Sequence, residues 1–188
     1  MSAVRDRMVA GAVKLLAQRG LQATSFSSVL AETSAPRGSI YHHFPGGKEE
    51  LVAAAIEATQ AHALDLIDQD MGASAIEVTQ SFLGAWRALL RYTDFAAGCA
   101  LVAVTVAAET DGLRLRAADA FRAWQQKLAA ALQAGGLAAA IAAPTATLLL
   151  AAAEGAVVIC RAERDIGPFE VVAVQLLEHV QALAAGGA

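Results

Sequence analysis

The chain has 188 residues, 56% of them hydrophobic, 17% charged and 5% aromatic, with 14 Lys and Arg against 18 Asp and Glu. A chain of this length buries roughly 70% of its unfolded surface, which removes the mini-proteins that need disulfides or a metal, and the apolar fraction excludes a disordered chain. The 47 alanines, with few β-branched or aromatic residues, favour helix over sheet, so the expected fold class is all-α.

Two cysteines, Cys99 and Cys160, stand in apolar surroundings, as reduced core thiols do. The polar start MSAVRDRM has no apolar run followed by a cleavage site, and the expected location is the cytoplasm. No charged residue occurs from Leu128 to Ala153. The stretch is mostly alanine, and Gly135-Gly136 and Pro144 should cut it into pieces too short for about 30 Å of hydrocarbon, so no membrane is expected. Charge is uneven: up to Pro45 the balance is +3, and over the rest it is −7. A small basic head on an acidic body leaves nucleic acid open as a partner, because only the field within a Debye length of about 8 Å matters at a contact.

In chain order, Met8, Ala12, Leu15 and Leu16 recur at helical spacing from Val4 to Arg19, and Gly20 ends the run. Thr24-Ser25 offers a hydroxyl cap before FSSVLAET, where Phe26, Val29 and Leu30 form one apolar stripe over about two turns. A break at Ser34-Ala35-Pro36 precedes RGSIYHHF, a third helix ending near Phe44. At 100° per residue, Ile40 and Phe44 point inward and Gly38, Ser39 and His42 outward, with Arg37, Tyr41 and His43 on the flanks. Such a short, donor-rich outer side suits a major groove about 12 Å wide, and the pattern is a helix-turn-helix. His42 and His43 diverge on their helix and lack further ligands at metal spacing, so no metal is expected. Gly46-Gly47 belongs to no phosphate-binding motif, and neither a cofactor nor a catalytic residue is expected.

The run from Thr24-Ser25 through RGSIYHHFPGGKEEL at residues 37–51 resembles the N-terminal domain of the TetR family of bacterial transcriptional repressors. HHFPGGKEEL, the later Gly98-Cys99 and CRAERD at 160–165 look like the LmrA/YxaF-type branch. The resemblance implies a DNA-binding domain at 1–48 and an effector-binding and dimerisation domain at 49–188. It implies that Arg37 and Ser39 read bases from a helix introduced by Pro36 and kept slim by Gly38, while Tyr41, His42 and His43 mostly fix phosphates. Thr24, Ser25 and Lys48 would contact the DNA backbone. The family usually has glycine where this chain has Ser34; if that turn needs positive φ, serine costs on the order of 1 kcal/mol.

In the body, helices are expected at 49–69, 74–92, 97–109, 112–134, 145–163 and 168–184. Phe82, Trp86, Phe95, Cys99, Val102, Thr105, Val106, Phe121 and Trp124, set among alanines, form a candidate cavity for an apolar or aromatic ligand, with Thr105, Glu109 or Glu154 to orient it. Leu148, Ala151, Ala152, Gly155 and Ile159 on one helix, and Val172, Leu176, Leu177 and Val180 on the next, make apolar faces too broad for one neighbour. The resemblance assigns those faces to a homodimer. It also implies a repressor of a pseudo-palindromic operator, released by a small effector and controlling an efflux or detoxification gene.

Two other classes fit the residues less well. A small helical enzyme would pair Glu109 or Glu154 with His62 or His179, but these lie in separate helices and no nucleophile or metal motif accompanies them. A helical adaptor that binds no DNA is the second.

Overall fold

A chain a quarter alanine closes its backbone hydrogen bonds within helices, because alanine gives up no side-chain entropy there. The computed structural model describes residues 3–186, and among them there are nine helices and no strand. These are α1 (Ala3–Ala23), α2 (Phe26–Thr33), α3 (Arg37–His43), α4 (Gly47–Gln69), α5 (Ala75–Tyr92), α6 (Ala100–Ala107), α7 (Asp111–Ala134), α8 (Ala139–Glu163) and α9 (Gly167–Gly186).

The chain divides into two compact units that are discontinuous in sequence. One takes the chain up to His62 together with Cys99–Phe121, and the other takes Ala63–Gly98 with everything from Arg122 onward. In the first unit α1 packs against α2 and α6, and α3 packs on both α1 and α2. Met8, Ala12, Leu15 and Leu16 are all buried, as their spacing requires, and Val29, Ile40 and Phe44 close the core beside them. Gly11 permits this approach: a Cβ there would come within 2.4 Å of the Thr33 methyl carbon on α2. At Gly20 α1 leaves helical geometry, with φ 80°.

The second unit is built on α5, α8 and α9, which pack on one another. Its core includes Leu83 and Leu90 of α5, Leu128 and Leu132 of α7, Leu149 and Val157 of α8, and Phe169, Leu176 and Val180 of α9. The Arg87 guanidinium grips the Glu170 carboxylate through two bonds of 2.7 and 2.8 Å and lies 5.7 Å from the Phe169 ring centroid. That hydrogen bond holds Glu170 below its ordinary value of 4.5. Burial pushes the Cys160 thiol up, so it stays protonated and inert.

One expectation about the body needs correction here. Pro144 does not separate helices; it lies inside α8, which starts at Ala139. At the sixth position its missing N–H forfeits one bond, and the carbonyl its ring crowds belongs to exposed Ala140, free to tilt outward in the first turn. Consequently α8 is one helix of 25 residues, long and apolar enough by length and composition to cross a membrane, with half of its apolar window buried within the protein. The apolar stretch is therefore not cut at Pro144, whereas the Gly135-Gly136 break before it holds.

Candidate nucleic-acid interface

Local chemistry sets up α2 and α3. Ser25 caps α2, accepting from the Ser28 N–H at 3.1 Å while its own N–H donates to the Ser28 hydroxyl at 2.8 Å. The first-turn N–H groups of Phe26 and Ser27 have no partner within a helix, and the Ser25 and Ser27 hydroxyls meet at 2.9 Å beside them, an arrangement that favours phosphate. Thr24 sits differently from expectation. It is fully buried, and its hydroxyl donates to the Gly20 carbonyl at 2.9 Å, so it braces the bend before α2 and does not present a side chain to a backbone phosphate.

The turn between α2 and α3 does need positive φ. Ser34 occupies the left-handed region at φ 52° and ψ 30°. Pro36 stands one residue before α3, as its N-cap, and supplies no side-chain bond. Of the seven residues in α3 only Ile40 is buried, with Phe44 closing the same side, so Arg37, Gly38, Tyr41 and His42 are left exposed and Ser39 and His43 half-buried. The Ser39 hydroxyl donates to the Pro36 carbonyl at 2.7 Å and keeps its oxygen available as an acceptor. The His42 and His43 rings lie 5.3 Å apart at a tilt.

Other features of this unit were not legible in the sequence. Phe26, expected in the inward stripe, is half-buried, and its ring meets Tyr41 edge to face at 5.4 Å and 79°. Lys14 on α1 bonds Glu32 on α2, which holds that carboxylate below its ordinary value. Lys48 donates to the Leu21 carbonyl at 2.8 Å, tying the start of α4 to the segment after Gly20, and its ammonium retains two further donors. The link between α6 and α7 joins the same seam: Gln22 donates to Glu109 at 3.0 Å and Thr110 to Glu49 at 3.1 Å. Such pairs join residues up to 87 positions apart, and no local pattern announces them.

The expected effector residues fall into both units. Phe82, Trp86 and Phe95 are half-buried against the core of the second unit, where Trp124 is buried and Glu154 half-buried. In the first unit Cys99 is buried, and Val102 and Phe121 are half-buried. Thr105, Val106 and Glu109 need correction as cavity lining. Val106 is 79% exposed, the Thr105 hydroxyl turns back to the Leu101 carbonyl, and Glu109 is exposed and occupied by Gln22. The α6 sequence ALVAVTVA is apolar nearly all round, so it gave no hint that Ala100, Leu101 and Val104 would be the buried side. An open depression of about 350 Å³ lies between α7 and α8, lined by alanines with Gln125, Gln126, Gln133 and Thr147, and none of the expected ligand residues borders it.

Gly98 and CRAERD meet in the second unit. Arg161 donates to the Ala96 carbonyl at 3.0 Å and lies so close to Gly98 that a Cβ there would stand 2.7 Å from the guanidinium. Arg164 pairs with Asp94, which with Phe95 forms a turn of positive φ, 47° and 61°.

On the expected dimer faces, Leu148, Ala151, Gly155 and Ile159 of α8 are exposed and Ala152 is half-buried. The α9 set is largely inward: Leu176 and Val180 belong to the core, Val172 packs against it and Leu177 is half-buried. The large exposed apolar residues of α9 are Val171 and Val174 instead. The α9 sequence carries apolar residues on both sides, and only packing chooses which side faces in.

Residues 8–55 match the family described as bacterial regulatory proteins, tetR family, and residues 75–175 match the description transcriptional regulator LmrA/YxaF-like, C-terminal domain. An uncharacterised HTH-type transcriptional regulator of Mycobacterium tuberculosis is 37% identical over 94% of this chain and 93% of its own length. The uncharacterised HTH-type regulator YxaF of Bacillus subtilis is 30% identical over 92% of each chain. In fold, a TetR regulatory protein from Rhodobacter sphaeroides superposes with a TM-score of 0.84 over 95% of this chain and 99% of its own, at 20% identity. With a helix-turn-helix whose outer side is polar and a Mycobacterium tuberculosis relative 37% identical along nearly the whole chain, the protein belongs to the TetR family of DNA-binding transcriptional regulators, in the group with an LmrA/YxaF-like C-terminal domain, and not to an enzyme family.

Proposed function

We propose that the protein is a cytoplasmic repressor that binds a pseudo-palindromic operator as a homodimer and is released by a small apolar or aromatic effector. The observation that carries this reading is the outer side of α3, where Arg37, Gly38, Tyr41 and His42 are exposed beside the hydroxyl-rich start of α2. Arg37 and Ser39 read base edges; Ser25, Tyr41, His42, His43 and Lys48 hold phosphates. The DNA-binding module is residues 1–48, and 49–188 carry effector binding and dimerisation.

Dimer symmetry gives each α3 one half-site. The exposed residues Leu148, Ala151, Gly155, Val158 and Ile159 of α8, with Val171 and Val174 of α9, supply the self-complementary face, and the small residues let the two α8 copies approach. A partner seated there also accounts for the half of α8 that the single chain leaves bare. The effector lies against the aromatic group Phe82, Trp86, Phe95 and Trp124, with Glu154 as a polar anchor. It acts by favouring the state that does not fit the operator; a 100-fold preference amounts to about 2.7 kcal/mol. The regulated gene is one for efflux or detoxification of such compounds.

Selection from mixed DNA should return an inverted repeat whose binding weakens steeply with salt. Arg37→Ala should cost about 1–3 kcal/mol and relax one or two base pairs of the repeat, whereas Lys48→Ala should weaken all sequences alike and lower the salt slope by about one. An unchanged selected motif for Arg37→Ala would remove the base-reading role.

A further inference from the structure

We propose that Phe26 is the positioning residue for Tyr41, holding its phenol in one orientation so that α2 and α3 meet the operator backbone at a fixed spacing. The inference rests on the DNA-binding reading above and names a residue that reading does not use. Tyr41 is 70% exposed, on a seven-residue helix whose one buried side chain is Ile40. Its described ring contact is the edge-to-face packing on Phe26, at 5.4 Å between centroids and 79° between planes, the geometry that aromatic quadrupoles prefer.

Phe26 is well placed to serve as the anchor. It is the first residue of α2, directly after Ser25, whose capping box with Ser28 fixes the backbone on both sides of it. It is half-buried, and its ring meets that of Tyr41 edge to face. The same first turn presents N–H groups that have no partner within the helix, which suit phosphate. The ring pair therefore couples two backbone contacts, one at the start of α2 and one at the Tyr41 hydroxyl, and removes rotational freedom that would otherwise be lost on binding. Leucine at position 26 would keep apolar bulk and lose the edge interaction.

A double-mutant cycle on the operator selected by the wild-type protein tests this, with Phe26→Leu, Tyr41→Phe, the double variant and Phe26→Tyr. Each single substitution should weaken binding by about fivefold, and the double should be no more than about twofold weaker than either, because the two losses are one loss. Phe26→Tyr keeps an aromatic edge and should bind like the wild type. Melting temperatures recorded in parallel identify a variant that fails to fold, and the wild-type background of Phe26→Tyr still gives a reading in that case. Losses that multiply to about 25-fold in the double variant, wild-type binding by Phe26→Leu, or a Phe26→Tyr variant as weak as Phe26→Leu would each overturn the inference. A wild-type protein that selects no DNA sequence would instead overturn the functional reading beneath it.

Discussion

The α2–α3 surface and the α8–α9 surface are opposites in what they leave to solvent. In α3 the apolar side is used up by Ile40 and Phe44, and the exposed side holds arginine, glycine, tyrosine and histidine. In α8 the inward side is equally complete, with Leu149, Ala153, Val157 and Cys160, yet the outward side is still apolar at Leu148, Val158 and Ile159. A short helix with a polar exterior satisfies its groups with water or a polyanion. A long helix with an apolar exterior remains unfinished until another apolar surface covers it.

The sharpest way to break this contrast is a charge on the α8 exterior. Ile159→Asp should raise the dimer dissociation constant at least about 100-fold, the order expected when an unpaired charge must be buried, and operator binding should fall with it. Sedimentation and operator titration check both; a variant that stays dimeric would assign the face to another role. Leu176→Ala, on the inward side of α9, should instead lower stability by about 2–4 kcal/mol in a denaturant melt while leaving assembly at saturating concentration unchanged. Equal effects of the two substitutions would erase the distinction between inner and outer faces.

Smaller effects sharpen the same comparison. Ser34→Gly should stabilise the protein by about 1 kcal/mol, since glycine adopts the left-handed turn before α3 without the crowding that serine meets there. A lower melting temperature for this variant would show that the serine side chain supports the turn. Glu170, held low by the Arg87 bond, has the smallest expected effect, because it is partly exposed. Its folded value lies below its unfolded one, so its contribution is present above pH 4.5 and disappears as pH falls through the lowered value. Glu170→Gln should remove about 0.5 kcal/mol at neutral pH and flatten the acid limb of a stability profile; an unchanged limb would mean that the pair contributes nothing.

Much of the head was legible because its signals are local. Gly20 ends a run of inward residues, Ser25 caps, Pro36 opens a helix, and Ile40 and Phe44 recur four apart, so the helix-turn-helix follows from backbone geometry and periodicity. Its polar outer side follows by subtraction. The body was legible in its breaks, such as Gly135-Gly136 between α7 and α8, and poorly legible in its faces.

Sequence by itself determined that this chain is helical, where most helices begin and end, and that a basic, hydroxyl-rich head precedes an acidic body, because propensity, capping and charge act over a few residues. Tertiary structure alone decided that Pro144 is carried inside α8, that Leu176 and Val180 turn inward while Val171 and Val174 turn out, and that Phe26 meets Tyr41. An alanine-rich helix with apolar residues on every side has no preferred inner face until neighbours remove part of it from water, and a ring contact between two helices exists only once the turn at Ser34 has set their angle.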